Sequence, residues 1–165
     1  HVTSDAYLQV QQEARRALDS MVRELREAGH VNNDVSIAAP GVSRLDFQIA
    51  RSYDAVGCGG VCWGTDEAGL PTGWIHYVVD TAGGRLVRCV TAGRLDAMPA
   101  GYAGCSTLAT NVETSLATTG FTYDATTRTV TTWLRTALTA AQIPTGRMQV
   151  APAALVVRIP LRNTT

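Results

Sequence analysis

Apolar residues recur at helical steps through the first thirty positions: Tyr7, Val10, Ala14, Leu18, Met21, Val22, Leu25 and Ala28. This three- and four-residue spacing predicts one amphipathic helix with a single apolar stripe. Ser4 or Asp5 is placed to cap its start, and Gly29 to end it in a left-handed conformation. Tyr7, Ala14, Leu18, Met21, Val22 and Leu25 are the residues expected to pack on a sheet. Between the apolar positions, Arg15, Asp19, Arg23 and Glu27 follow at the four-residue interval that pairs opposite charges on a helix.

Beyond residue 30 the period becomes that of strands. His30 to Gly41 reads as a polar connection with a strand fragment at Val35–Ile37. Arg44 to Arg51 alternates, placing Leu45, Phe47 and Ile49 on one face of a half-buried strand. Residues 52–73 carry Gly57, Gly59, Gly60 and Gly64 and read as an irregular loop. Trp74–Asp80 and Arg85–Val90 form a hairpin about the turn Thr81–Gly84. Residues 91–110 are a long connection, and Thr107–Leu116 fits either a helical turn or a strand. Phe121–Asp124 and Thr129–Leu134 make a second hairpin, residues 136–152 connect, and Ala154–Leu161 closes the chain. Pro160 confines that last strand to an edge or to its own end. The elements predict an α+β fold, a long N-terminal helix packed on an antiparallel β-sheet. One domain spans 1–165, with the helix in 1–29 and the β-rich part in 30–165.

Four cysteines, at 58, 62, 89 and 105, change the picture most. Their spacing does not suit a zinc knuckle, whose paired ligands lie two to four residues apart in both pairs, so two disulfides in an oxidising compartment are expected. Three pairings are open, and the sequence-local one, Cys58–Cys62 with Cys89–Cys105, is favoured. Basic and acidic residues balance at 14 each, which gives no field for nucleic acid or an anionic membrane. All the basic residues are arginine, to which no function is attached. No run of about 18 apolar residues is present to span a membrane. No secretory leader is present either, so export implies a leader already removed.

Catalytic patterns are absent from the sequence. His1, His30 and His76 have no Gly-x-Ser-x-Gly elbow to serve, and His76 reads as a structural strand residue. Asp66, Glu67, Asp80 and Asp124 form no calcium-ligand series and read as solvated charges. Gly57-Cys58-Gly59-Gly60 lacks the Gly-Lys-Ser/Thr of a phosphate loop. No catalytic residue, metal or cofactor is therefore assigned. Trp63 and Trp74 flank the glycine-rich loop as buried anchors or as a contact patch.

Four stretches carry a resemblance: Arg23-Glu24-Leu25-Arg26-Glu27-Ala28 late in the helix; Ile75-His76-Tyr77-Val78-Val79-Asp80, a turn, then Gly84-Arg85-Leu86-Val87-Arg88; Leu108-Ala109-Thr110-Asn111-Val112 leading to Phe121-Thr122-Tyr123-Asp124; and the ending Val157-Arg158-Ile159-Pro160-Leu161-Arg162-Asn163. In this order they resemble the type IV pilin-like superfamily, and within it the minor pseudopilins of type II secretion and related minor pilins. The resemblance implies a structural subunit of a filament, active in assembly initiation or at the tip, and not an enzyme. It implies an apolar helix half ahead of His1, cleaved and methylated at its start. That segment would anchor the chain in the inner membrane, with the domain in the periplasm and later in a filament. The implied partners are other pilin or pseudopilin subunits, met through Arg15, Asp19, Arg23 and Glu27. A second reading is a pilus-tip binding module that recognises DNA or a surface ligand through loops 52–73 and 91–110. Trp63, Trp74, Arg88 and Arg94 are its candidate residues, with Arg85 and Arg147 contributing. Neutral overall charge weighs against nucleic acid.

Overall fold

The computed structural model describes residues 2–29, 36–37, 43–54, 57–115, 118–136 and 155–161. The chain opens with α1 (Val2–Arg26), which runs directly into the two-residue strand β1 (Ala28–Gly29). Next come β2 (Ser36–Ile37), β3 (Arg44–Asp54), β4 (Gly60–Gly64), β5 (Trp74–Asp80) and β6 (Arg85–Thr91). A short 3-10 turn (Ala100–Tyr102) precedes β7 (Ser106–Ala109), and β8 (Gly120–Asp124), β9 (Thr129–Leu134) and β10 (Leu155–Pro160) follow.

Among the described residues every pairing is antiparallel, and β3 organises the larger sheet. One of its edges holds β5 against Arg44–Phe47 and then β4 against Ile49–Asp54. The other holds β2 against Leu45–Asp46 and then β1 against Gln48–Ile49. The pairing with β4 slips between Ala50 and Ser52, an irregularity of the kind that bends a strand and increases its twist. The sheet continues through β5, β6 and β7, while β8, β9 and β10 form a separate three-stranded sheet with β9 in the middle. Val112 joins the two by donating its amide to Gly84 and bridging to Thr136, and the Glu113 amide donates to Arg135.

The architecture is not the expected α+β arrangement of one long helix on an antiparallel sheet in the pilin manner. It is β-rich: the larger sheet curls into a half-barrel, and α1 is only loosely like a helix laid on a sheet. The physical cause is β3, long enough to bind two short partners in succession on each edge, with a bulge that turns the sheet. Part of the presumed loop 52–73 is the strand β4, and part of the connection 91–110 is β7. Gly29, expected as a left-handed cap, has φ 155° and pairs with Gln48 as a strand residue. The helix already runs from Val2, so Ser4 and Asp5 lie within it.

The concave side of the sheets holds the main core. Leu45, Phe47 and Ile49 meet Ile75, Tyr77 and Val79 there, with Leu86, Phe121, Val130, Leu134 and Ile159 around them. Phe47 packs edge-on to Tyr77 with ring centroids 4.9 Å apart. From α1 come Ala14, Leu18, Met21 and Leu25, all buried, with Val22 partly buried beside them. Ala17 is buried too, although the apolar stripe read from the sequence omits it. Tyr7 lies in α1, and its side chain is outside the described residues. Each large apolar side chain buried here contributes roughly 1.5–3 kcal/mol.

The opposite face of β5 and β6 is covered as well. Met98, Tyr102 and Cys105 from the segment after β6 pack on Val78, Val87 and Cys89. Residues 45–49 of β3 are buried on both faces where a half-buried strand was expected, with Asp46 and Gln48 enclosed like Leu45. Disulfides join Cys58 to Cys62 and Cys89 to Cys105, the second stapling this covering segment to the end of β6.

Candidate functional site

Alternation along β5 and β6 sends one polar constellation to each side of the sheet. On the concave side Tyr77 and Arg88 stand directly opposite in register. Both reach Glu24 of α1. The Tyr77 hydroxyl donates to Glu24 Oε1 at 2.6 Å, and Arg88 donates from Nε to Oε1 at 2.8 Å and from Nη2 to Oε2 at 2.9 Å. Arg88 also donates to Glu67 Oε1 at 3.2 Å. Burial, and then the Glu24 charge, hold the Tyr77 phenol well above the ordinary tyrosine range. Burial works against the charge of Arg88, but the hydrogen bonds and charge of Glu24 outweigh it and raise its affinity for the proton. A second carboxylate fixes the other half of the helix: Glu13 accepts the Thr110 amide at 2.8 Å and its hydroxyl at 3.0 Å.

On the convex side His76, Asp46 and Thr91 make a relay beneath the covering segment. His76 Nδ1 lies 2.6 Å from Asp46 Oδ1, and Nε2 lies 2.7 Å from Thr91 Oγ1. Arg44 donates from Nε to the same Asp46 oxygen at 2.6 Å and from Nη2 to the Arg94 carbonyl at 2.8 Å. The order acid, imidazole, hydroxyl is that of a nucleophilic triad. The surroundings are not. The Thr91 hydroxyl lies 2.8 Å from the Gly93 carbonyl, which can only accept and competes with His76 Nε2 for its single proton. His76 is also fully buried, with no exposed edge for a substrate. The relay serves as a latch that pins the turn at residues 91–96 to the sheet.

Around that turn lie the candidate ligand residues. The Arg94 guanidinium sits over the Trp74 ring, 6.0 Å from its centroid, and Leu95 beside it is 79% exposed. Arg85 is bound to Asp80 at 2.8 Å, donates to the Gly101 carbonyl at 3.1 Å and lies over the Tyr102 ring. Hydrogen bonds from Arg85 and then the Gly83 amide lower the proton affinity of Asp80. Trp63 is buried, with an indole nitrogen that finds no acceptor among the described residues. The four residues expected to line one ligand surface are thus dispersed: Arg88 is on the concave side, Trp63 is enclosed, and only Trp74 and Arg94 adjoin. Arg147 lies outside the described residues.

Of the expected subunit-interface residues, Arg15, Asp19 and Arg23 share the outward side of α1, and Glu27 lies just past its end. Arg15, Asp19, Arg23 and Glu27 are all exposed. Among the described residues no ion pair links Arg15, Asp19 and Arg23 at their four-residue spacing, contrary to the pairing expected from the sequence. Glu13 and Glu24 were missed as anchors. Their sequence signal is position alone, at the margin of the apolar stripe, beside Ala14 and Leu25.

Among the described residues no group of three or more His, Cys, Asp or Glu side chains converges as a metal site, and no helix is long and apolar enough to cross a membrane. Comparison with protein-family models, curated proteins and solved structures finds no match to this chain.

Proposed function

We propose that the chain is a structural subunit of an exported filament, the role implied by the minor pseudopilin and minor pilin motifs, and that it meets neighbouring subunits through the outward side of α1. The reading keeps the role and leaves aside the pilin architecture. It is supported above all by the contrast between the two sides of α1. Inward, apolar residues and two carboxylates fix the helix to the sheets. Outward, Arg15, Asp19 and Arg23 are exposed and take no part in ion pairs among the described residues. A helix held this firmly fixes the backbone from which its outer charges project, which leaves only side-chain ordering as the entropic cost of docking. The two disulfides favour an oxidising compartment such as the periplasm or cell exterior.

The test is assembly in the native cell with the full-length gene carrying Arg23→Glu or Glu27→Arg separately. Each reversal is expected to reduce filament formation at unchanged subunit level. Assembly untouched by either change would remove this face as an interface. N-terminal sequencing of the native protein checks the rest: a methylated start and an apolar segment ahead of His1 would support a filament subunit, and a mature start at His1 would overturn it.

A further inference from the structure

From Glu13 to Glu27, one residue past the helix, the chain carries four arginines (15, 16, 23 and 26) and four acids (13, 19, 24 and 27), so the sequence reads as balanced. Folding sorts these charges. Glu13 is engaged by Thr110, and Glu24 by Tyr77 and Arg88. Four exposed arginines are left facing outward with only Asp19 and Glu27. At 100° per residue Arg15, Arg26, Asp19, Arg23 and Arg16 fall within an arc of about 100°, along about 17 Å of helix. None of the ion pairs among the described residues takes any of the four guanidinium groups.

We infer that this face docks an acidic segment of a different polypeptide. The inference rests on the proposal that the outward side of α1 is an interface, and it names the partner. A second copy docked through the same face would bring the same arginine excess against itself, and like charges juxtaposed across an interface oppose association. A phosphate lattice, whether nucleic acid or lipid headgroups, would set negative charge against Asp19 within the arginine field. A polypeptide has no such restriction: carboxylates meet the arginine forks, which suit paired hydrogen bonds to carboxylate, while a donor or cation meets Asp19. The neutral whole chain gives no long-range attraction to polyanions, so recognition is confined to this face.

The test uses the purified, oxidised chain and a fluorescent helical peptide of about 20 residues, rich in Glu and Ala with one central Lys. Anisotropy titrations are run at about 50 mM and about 300 mM salt. Phosphatidylglycerol vesicles and a DNA duplex of similar length are titrated in parallel, and sedimentation reports self-association. The expected result is peptide binding that weakens with salt and falls at least about tenfold in the Arg15→Glu/Arg23→Glu variant. Arg158→Glu, an exposed change on β10, should leave it unaltered. Peptide binding that is absent, or indifferent to the reversals, would overturn the inference, as would tighter binding to vesicles or duplex. Self-association abolished by the same reversals would overturn the choice of a different partner while leaving the face an interface. If filament assembly in cells also ignores the reversals, the proposed function fails with it.

Discussion

Glu24 of the helix and Tyr77 of β5, 53 residues apart in the chain, are joined by a 2.6 Å hydrogen bond at the centre of the concave face. Arg88 completes the group, so one carboxylate neutralises a guanidinium and satisfies a buried phenol. Glu24→Ala leaves both without that partner and is expected to destabilise by about 2–3 kcal/mol. Tyr77→Phe removes only the hydroxyl and should cost about 1 kcal/mol. Urea unfolding at neutral pH separates the two, and equal costs would contradict this assignment of roles.

The same phenol gives an alkaline signature. Its proton affinity is raised in the fold, by burial first and by Glu24 second. Its contribution to stability is therefore complete below the unfolded tyrosine value of about 10, and is lost as pH rises beyond that toward the folded value. The wild-type chain should lose stability above about pH 10 more steeply than Tyr77→Phe. Parallel slopes in the two proteins would show that Tyr77 titrates alike folded and unfolded.

Asp46 holds the convex latch together by accepting from Arg44 and His76 at 2.6 Å each. Asp46→Ala strands both partners under the covering segment and is expected to cost about 3 kcal/mol or more. Because Arg44 also grips the Arg94 carbonyl, hydrogen exchange at residues 91–96 should accelerate in this variant before exchange in β8 and β9 does. Uniform acceleration across the fold would show that the latch has no local role.

Where periodicity alone set the outcome, the fold was legible. Trp74–Asp80 emerges with its expected bounds, and the hairpins about residues 81–84 and 125–128 form as read. The strands β1 and β4 escape because two side chains establish no period and glycine suggests a loop, while β7 overlaps the stretch 107–116 that fits either a helical turn or a strand. Asp46 and Gln48 misled in another way. Polar residues alternating with apolar ones imply a solvated face, but Asp46 is enclosed against His76 and Arg44, and Gln48 donates to the carbonyls of Thr72 and Gly73. Glu24 was invisible as an anchor because an acid on a helix ordinarily faces water.

Two glycines in the 57–73 region separate steric need from mere loop composition. At Gly64 a Cβ would overlap the carbonyl oxygen of Pro71, a backbone atom that cannot swing aside. At Gly69 a Cβ meets nothing within 4 Å. Gly64→Ala should destabilise by about 1–3 kcal/mol, as overpacking does, while Gly69→Ala should stay within about 0.5 kcal/mol of wild type. Thermal unfolding of the pair decides it, and a neutral Gly64→Ala would mean that Pro71 does not lie over β4.

The disulfides differ in what they close and in where their sulfurs lie. Cys58–Cys62 spans a sequence separation of 4, and Cys58 is exposed; Cys89–Cys105 spans 16, and Cys89 is 1% exposed beneath Met98 and Tyr102. In the chain-entropy model the shorter loop contributes roughly 2 kcal/mol and the longer roughly 3 kcal/mol. The exposed sulfur is also the one an attacking thiolate can reach in the folded state. Graded reduction followed by alkylation and mass analysis should therefore label Cys58 and Cys62 first, with the fold intact. Labelling of Cys89 and Cys105 should require local opening of the covering segment, and the double variant Cys89→Ser/Cys105→Ser should lose more stability than Cys58→Ser/Cys62→Ser. Simultaneous reduction of both pairs would mean that residues 91–105 do not shield Cys89 in solution, and the convex latch would then have to be weaker than its hydrogen bonds imply.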